Sequence, residues 1–485
     1  MADHSSLRVA IIGAGPAGLA AGHELLAQGF SEFTIFEKSD AVGGTWHLHT
    51  YPGLACDVWA HVYTFSYEPN SDWSASFVGQ PEIEAYLQRC ATKFGLDPHI
   101  RLNTRIVRAQ YRPEGVWQLA SDTDERFEFD VVINAMGNQH TPLYPDVKGM
   151  DTFLGDSWHA TQWNHDVDLT GKHVVVVGSA ASAVQIVPEI AKIAGQVTVL
   201  QRTPNWIMPR GRKFYSERKR AWFGRVPALI RLTQWSQKFM MSFVHQAATL
   251  GHKRMEQFEN VGLKSIRDSI SDPALREALT PKSRFACKRP LVSDDFYPAL
   301  GLDHVELICA GLEEVRPRSI VVSGGDELQV DVIVYCTGYR ILDFDRIDVR
   351  GDRGQALADA MGDAPEAHKG IAAPGFPNYF FAAGPNGLVL QVPYFVTIER
   401  NIETIVRLLK EKQRADARAM VVRDDAHREY NDWLLTQFAL YSWGEASCNS
   451  YYQLPNGRAP FLFPGDFKTY QELHAQCGIH EFELV

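Results

Sequence analysis

The 485-residue sequence contains no apolar run of the roughly 18 residues that a membrane-spanning helix needs, so no integral membrane span is expected. It also lacks any C-x-x-C pair. Its seven cysteines (Cys56, Cys90, Cys287, Cys309, Cys336, Cys448 and Cys477) are scattered and odd in number. That usage excludes a thiolate zinc site and suits a reducing compartment without a disulfide framework. Positive charge is scarce: 48 Lys and Arg stand against 58 Asp and Glu, a formal charge of −10. Non-specific nucleic-acid binding is therefore not expected, and a phosphate ligand would need local positive sites. The opening MADHSSLRVAIIGAG has no secretory pattern, because its first apolar stretch is short and runs into glycine. A soluble cytoplasmic protein is the expectation. The composition, 45% hydrophobic and 22% charged, is that of a globular chain, and its length suggests about three domain-sized units.

What is present is an alternation of strand-like and helix-like segments, which predicts α/β layers. A first series has a strand over residues 7–12 ending in glycine, a helix over 16–28 and a strand over 33–36, with a later strand over 130–135. The series then restarts, with HVVVV (173–177), a helical pattern over 182–193 and a strand over 197–200. Residues 331–336 and 379–383 read as late buried strands. Two dinucleotide-domain beginnings in one chain predict two Rossmann-like domains, the second inserted into the first. The expected division is 1–145 and 331–485 for the first domain and its tail, and 146–330 for the second. Residues 212–283 show no strand signal and read as helical. The stretch RKFYSERKRAWFGRVPALIRL is basic and amphipathic, which suits either a membrane-surface helix or a helical elaboration packed on the second domain. Pro227 breaks the pattern and favours the second reading. The aromatic-rich tail, 430–485, is expected to be ordered against the body.

The first glycine constellation is G-A-G-P-A-G, with Gly13, Gly15 and Gly18 between a strand and a helix. Glycines there let the backbone turn and approach a pyrophosphate at the positive N-terminus of the helix. Pro16 suits a first helical turn, where its missing N–H is not needed. The glycine pattern alone is weak. Its context is stronger: Glu37 ends the next strand, 24 residues after Gly13, where a carboxylate can accept bonds from a ribose 2′-hydroxyl.

The second constellation is G-S-A-A-S-A, starting at Gly178 and including Ser179 and Ser182. Here the strand-end residue, again 24 positions on, is Arg202. A carboxylate repels a 2′-phosphate and a guanidinium grips one, so the first cradle should take FAD and the second NADPH. Ala180 occupies the place of the second glycine, and its Cβ should limit close approach. A degraded nicotinamide site on a flavin-binding regulatory protein is therefore an alternative reading.

Two nucleotide sites imply hydride passing from nicotinamide to flavin. Residues 43–57, GGTWHLHTYPGLACD, hold only Cys56 and no partner at C-x-x-x-x-C spacing, which disfavours a thiol acceptor and leaves dioxygen. The same stretch resembles a signature of the Baeyer–Villiger monooxygenases, through Gly43, Gly44, Trp46, Tyr51, Pro52, Gly53 and Asp57. A second signature of that family is matched at Phe153, Gly155, His159 and Trp163. Asn164 departs from it, since the family typically continues with Pro or Asp. T-P-N-W after Arg202, C-K-R-P-L at 287–291, V-Y-C-T-G-Y at 334–339, G-P-N-G-L-V-L at 384–390 and C-N-S-Y-Y at 448–452 extend the similarity over nearly the whole chain. Tyr451 stands where the family commonly has Trp.

The resemblance implies an enzyme in which NADPH reduces FAD and the reduced flavin forms a peroxide with O2. That peroxide attacks a small-molecule ketone to give an ester or lactone. It implies Arg289 as the positive charge at the reacting centre, because a guanidinium stays charged when buried, and Asp57 as the residue that orients it. Lys288, Arg202 and Thr203 are implied at the 2′-phosphate; Gly44, Thr45, Trp46 and Tyr63 at the flavin; and Gln185 near the nicotinamide nucleotide. His159 and Trp163 look like hinge or positioning residues. Sulfur or nitrogen oxidation is the alternative within flavin monooxygenases, and Trp163 argues against it.

Overall fold

The computed structural model describes residues 7–445, 448, 450, 452–454 and 458–485. Ten strands build its two main sheets: β1 (Val9–Ile12), β2 (Phe33–Phe36), β3 (Ile100–Arg101), β4 (Val131–Asn134), β5 (Asp156–His159), β6 (His173–Val177), β7 (Gln196–Leu200), β8 (Val305–Ile308), β9 (Val332–Tyr335) and β10 (Tyr379–Phe381). The first sheet has the order β10-β4-β1-β2-β3 and the second β8-β7-β6-β9-β5. Every pairing in both is parallel. The composition of these strands explains the arrangement. VAII, VVIN, VVVV and VIVY are apolar on both faces, and a parallel sheet covered on both sides buries both.

The two sheets repeat one topology. β1, β2, β3 and β4 occupy the places that β6, β7, β8 and β9 occupy in the second sheet. The outermost strand differs in origin, since β10 comes after its unit in the chain and β5 before. The expected α/β class with two Rossmann-like units is therefore present, and the chain leaves the first sheet after Asn134 and returns to it at Tyr379.

The expected boundary at 330/331 is corrected. The expected division puts residues 332–335 in the returning part of the first domain. They form β9, which pairs Val332 with Val174 of β6 and with Asp156 of β5. The reason lies at the second cradle. A methyl group on Gly178 would fall 2.6 Å from the carbonyl oxygen of Cys336, as one on Gly13 would fall 2.7 Å from that of Ala135. Each cradle needs the strand that brings this carbonyl beside it, and β9 is that strand for the second unit. Both glycines have φ above +100°, a region closed to most L-residues.

Helix α1 (Pro16–Ala27) follows the first cradle and α2 (Ala181–Ile190) the second. The helical segment resolves into α3 (Glu217–Arg225), α4 (Pro227–Ala248), α5 (Lys253–Ser269) and α6 (Pro273–Leu279), with Pro227 opening α4 rather than interrupting a helix. The expected packing on the second domain holds for Ile266 of α5 and Leu279 of α6, which join the second core. It does not hold for α3 and α4. Arg220 pairs with Asp72, Gln234 donates to the carbonyl of His61, and Ala247 and Ala248 pack with Tyr441 and Trp443 of the tail. The Pro227 break lets α4 turn away from the second sheet.

The cysteine reading is also corrected. Cys287 and Cys448, 161 residues apart, form a disulfide that fastens the tail to the segment carrying Lys288 and Arg289. Sequence spacing carried no sign of it, because the fold alone brings the two together. Among the described residues no helix is long and apolar enough to cross a membrane.

Candidate active site

One cavity of about 650 Å³ runs between the two units. At one end it is lined by the first cradle, through Gly13, Gly15, Pro16 and Glu37, with Gly44, Thr45 and Trp46 along the wall. Asp57, Tyr63 and Arg289 also line it, and Ser182 and Gln185 reach it from α2. A third part is an apolar chamber formed by Met241, Val244, Phe258, Leu388, Tyr394 and others.

The first cradle has the chemistry of an anion and ribose site. The N-terminus of α1 has no side-chain cap, so its first N–H groups remain for a ligand. Glu37 is 6% exposed, and its two oxygens accept from the N–H groups of Ala14 (2.8 Å) and Ser39 (2.9 Å). This fixes the carboxylate at the cradle and leaves it lone pairs for a hydroxyl donor. Gly18 does not line the cavity. A methyl there would strike the carbonyl of Gly13, so its role is close packing of helix on strand.

Sequence reasoning missed a group of cations at this end. Lys38, Arg105 and Arg346 all line the cavity around Glu37. Burial, followed by the neighbouring Arg346, lowers the Lys38 ammonium, and burial with Arg105 lowers the Arg346 guanidinium. Three cations held this close invite a diphosphate. Lys38 could have been noticed beside Glu37, but Arg105 and Arg346 are 241 positions apart and carry no local signal.

On the cavity wall, Arg289 Nη2 donates to Asp57 Oδ2 at 2.6 Å. The guanidinium is 34% exposed, less enclosed than the sequence reading assumed, because it faces the cavity. Ala286, three residues earlier, has a φ of +62°, an unfavourable value for a residue with a side chain. That turn sends Cys287, Lys288 and Arg289 past the second cradle. Next to Asp57, burial pushes the Cys56 thiol well up, so it stays protonated and is a poor nucleophile. Trp46, 7% exposed, donates through Nε1 to the Tyr63 hydroxyl at 3.1 Å, and Tyr63 packs edge-on against Phe395. Trp46 is thus both core and cavity wall. Three buried polar atoms of residues lining this cavity, His49 Nε2, Arg210 Nε and Thr397 Oγ1, have no partner among the described residues, as a site built for a polar ligand would leave them.

The second cradle departs less from the first than its sequence does. Ala180 caps α2 with φ −93° and ψ −161°, beside −75° and −172° at Gly15, so the two backbones match. A methyl at Gly15 would lie 3.4 Å from Gly44, whereas Ala180 is exposed. The alanine fits where no second loop leans on the turn. Ser179 is buried, and its carbonyl accepts from Asn205. Gly178, Ser179, Arg202, Thr203 and Lys288 lie outside the cavity lining. Of these, Arg202, Thr203 and Lys288 meet beside the second cradle: Lys288 hydrogen-bonds the Thr203 hydroxyl, and burial, then the Arg202 guanidinium, lowers its ammonium. Two cations and a hydroxyl together make an anion site.

Gln185 does more than face the cavity. Its amide donates to the carbonyl of Ala55 at 2.9 Å, and its Oε1 accepts from the Tyr51 hydroxyl. At Gly53, with φ +77°, a methyl would fall 2.4 Å from the carbonyl of Gln185. The Tyr51–Pro52–Gly53 turn is therefore where the first unit rests on α2.

His159 ends β5, is 1% exposed, bonds Thr161 through Nδ1 and meets Tyr144 and Tyr339 edge-on. Burial pulls its imidazole down to about 4. Trp163 packs edge-on against Trp158. The segment before Trp163 is thus an edge strand of the second sheet. Asn164 accepts from the N–H of Asp166 in an exposed turn, so its departure from the signature is local. Leu388 and Leu390 of the 384–390 loop line the apolar chamber. Tyr452 does so too and stacks on Phe461, while Tyr451 lies outside the described residues.

A family model described as flavin-binding monooxygenase-like matches residues 6–348. A Baeyer–Villiger monooxygenase of Pseudomonas aeruginosa is 36% identical over 481 residues, spanning 99% of this chain and 91% of that protein. One from Streptomyces coelicolor is 34% identical, spanning 99% and 93%. Among solved structures, OTEMO in complex with FAD and NADP superimposes with a TM-score of 0.88 at 26% identity, covering 99% of this chain and 100% of that one. An oxidised steroid monooxygenase bound to NADP gives 0.86, also at 26% identity, with 99% of each chain covered.

Proposed function

The chain belongs to the Baeyer–Villiger monooxygenases of the flavin-binding monooxygenase-like family, and from that premise we infer that it is an FAD-containing, NADPH- and O2-dependent enzyme that converts ketones to esters or lactones. The observation that carries this reading is the Arg289–Asp57 pair, placed in one cavity that joins the first cradle, α2 of the second unit and an apolar chamber.

The residues present fit both cofactors. FAD would be held by Gly13, Gly15, Glu37, Gly44, Thr45, Trp46 and Tyr63, with Lys38, Arg105 and Arg346 countering its phosphates. NADPH would be held by Gly178, Ser179, Ser182 and Gln185, with Arg202, Thr203 and Lys288 at its 2′-phosphate. When bound, the pair supplies hydride, a reduced flavin and activation of dioxygen. The chain's own residues then have three tasks. Arg289 presents a permanent positive charge to the anionic oxygen that develops at the reacting centre, and Asp57 holds the guanidinium in place. Trp46, Tyr63 and the apolar chamber exclude water, which would otherwise release peroxide unproductively. Gln185 and Gly53 keep the second unit in register with the first, as hydride transfer between the two bound cofactors would require.

The apolar chamber supports an apolar ketone as substrate. Dependence on NADPH supports a cytoplasmic place of work, where that reductant is made. The test is anaerobic reduction of the FAD-loaded protein by NADPH, then mixing with oxygen and a ketone. Ester or lactone formed in proportion to NADPH consumed is the expected result. Recovery of all electrons as hydrogen peroxide, whatever ketone is offered, would overturn the reading.

A further inference from the structure

The stretch from Arg212 to Met240 is unlike the rest of the surface. It carries eight Lys and Arg and one acid, Glu217, in a chain whose formal charge is −10. It also exposes Phe214, Trp222, Leu229, Leu232, Trp235, Phe239 and Met240, each more than a third accessible. Leu232, Trp235 and Phe239 follow one another at helical spacing along α4 and are 62, 65 and 52% exposed. Trp235 and Phe239 stack on each other, and Phe243 continues the row. The opposite side of α4, through Ile230, Gln237, Met241 and His245, is buried against the body.

Soluble surfaces seldom hold so many large apolar side chains in one place without a partner. An interfacial helix has this make-up, with Trp, Phe and Leu on one face and Lys and Arg beside them. We propose that the outer face of α3 and α4 docks the protein on an anionic lipid bilayer. Leu232, Trp235 and Phe239 enter the boundary between headgroups and acyl chains, and Arg218, Arg225, Arg231 and Lys238, all exposed, meet the lipid phosphates. A second copy of the chain is a poorer occupant, because two such faces laid together would bring like charges into contact.

The surface adjoins the cavity. Met240 and Val261, 46 and 45% exposed, line its rim, and Met241 on the inner side of α4 lines its chamber. One helix thus forms both the docking face and the cavity wall. Resting on the reaction proposed above, this arrangement lets an apolar ketone pass from the bilayer into the chamber.

The test is co-sedimentation of the FAD-loaded full chain with vesicles of phosphatidylcholine, alone or containing about a third phosphatidylglycerol. Binding to the anionic vesicles, weakened by salt, is expected. The triple variant Leu232→Ser, Trp235→Ser, Phe239→Ser should lower that binding at least about tenfold. Its turnover of a short water-soluble ketone should be unchanged, which shows that the variant is folded. Wild-type protein that stays in the supernatant, or a triple variant that binds as well as wild type, would overturn the proposal. So would a dimer in vesicle-free buffer that the triple variant abolishes, which would assign the face to a second copy. Vesicle binding by a protein that oxidises no ketone would uphold docking while removing the reaction.

Discussion

Asp57 and Arg289 are separated by 232 positions in the chain and joined by a 2.6 Å hydrogen bond in the fold. Asp57 follows the Tyr–Pro–Gly turn of the first unit. Arg289 follows the strained Ala286 turn in the second. Their contact spans the two units at the cavity where both cofactors would meet.

Replacing Arg289 with Ala should leave FAD bound, since no cradle contact is lost, and should reduce ester or lactone formation on the order of 10²–10³-fold. NADPH oxidation should persist and end in hydrogen peroxide. Product yield per NADPH is the measurement, and full oxygenation by Arg289→Ala would remove the guanidinium from the mechanism.

Arg202→Ala removes one of two cations beside Thr203. The KM for NADPH should rise roughly tenfold to a hundredfold, the worth of a charge-assisted phosphate contact, while that for NADH changes little. Equal changes for the two coenzymes would discredit the 2′-phosphate assignment.

Gly53→Ala forces a methyl to within 2.4 Å of the Gln185 carbonyl at a backbone φ of +77°. The cost should be about 1–3 kcal/mol of stability, read as a lowered thermal midpoint. Because the clash lies where the first unit rests on α2, flavin reduction by NADPH should slow as well. Gly29→Ala, at an open surface turn, should leave reduction untouched.

The tail carries a pH-dependent tie. Burial would raise the Glu481 carboxyl, but hydrogen bonds from His368 and Lys369 outweigh it and bring the group down to about 2. His368 itself is lowered by burial, against the pull of its hydrogen bond to Glu481. Between the ordinary value of 4.5 and about 2 the unfolded chain binds more protons than the folded one, so this stabilisation is lost as pH falls through that window. Glu481→Gln should cost roughly 2–3 kcal/mol at pH 7. Its difference in melting temperature from wild type should shrink steadily below pH 5.

Local pattern was enough for the repeated α/β units, both glycine cradles and the opposite charges of Glu37 and Arg202. Those features depend on residues within some 25 positions of one another, through strand burial, helix ends and turn geometry. The apolar, basic nature of 212–240 was legible in the same way, but not which side of α4 would stay bare. Only the tertiary structure decided that Val332–Tyr335 belongs to the second sheet, that Cys287 meets Cys448, and that Arg105 and Arg346 join Lys38 at one end of the cavity. It alone made Gln185 a bridge between units and showed that Ala180 takes the same extended backbone as Gly15. Each of these depends on which distant backbone lies alongside, and that is settled by burying two sheets and their helices together, at a range no local spacing encodes.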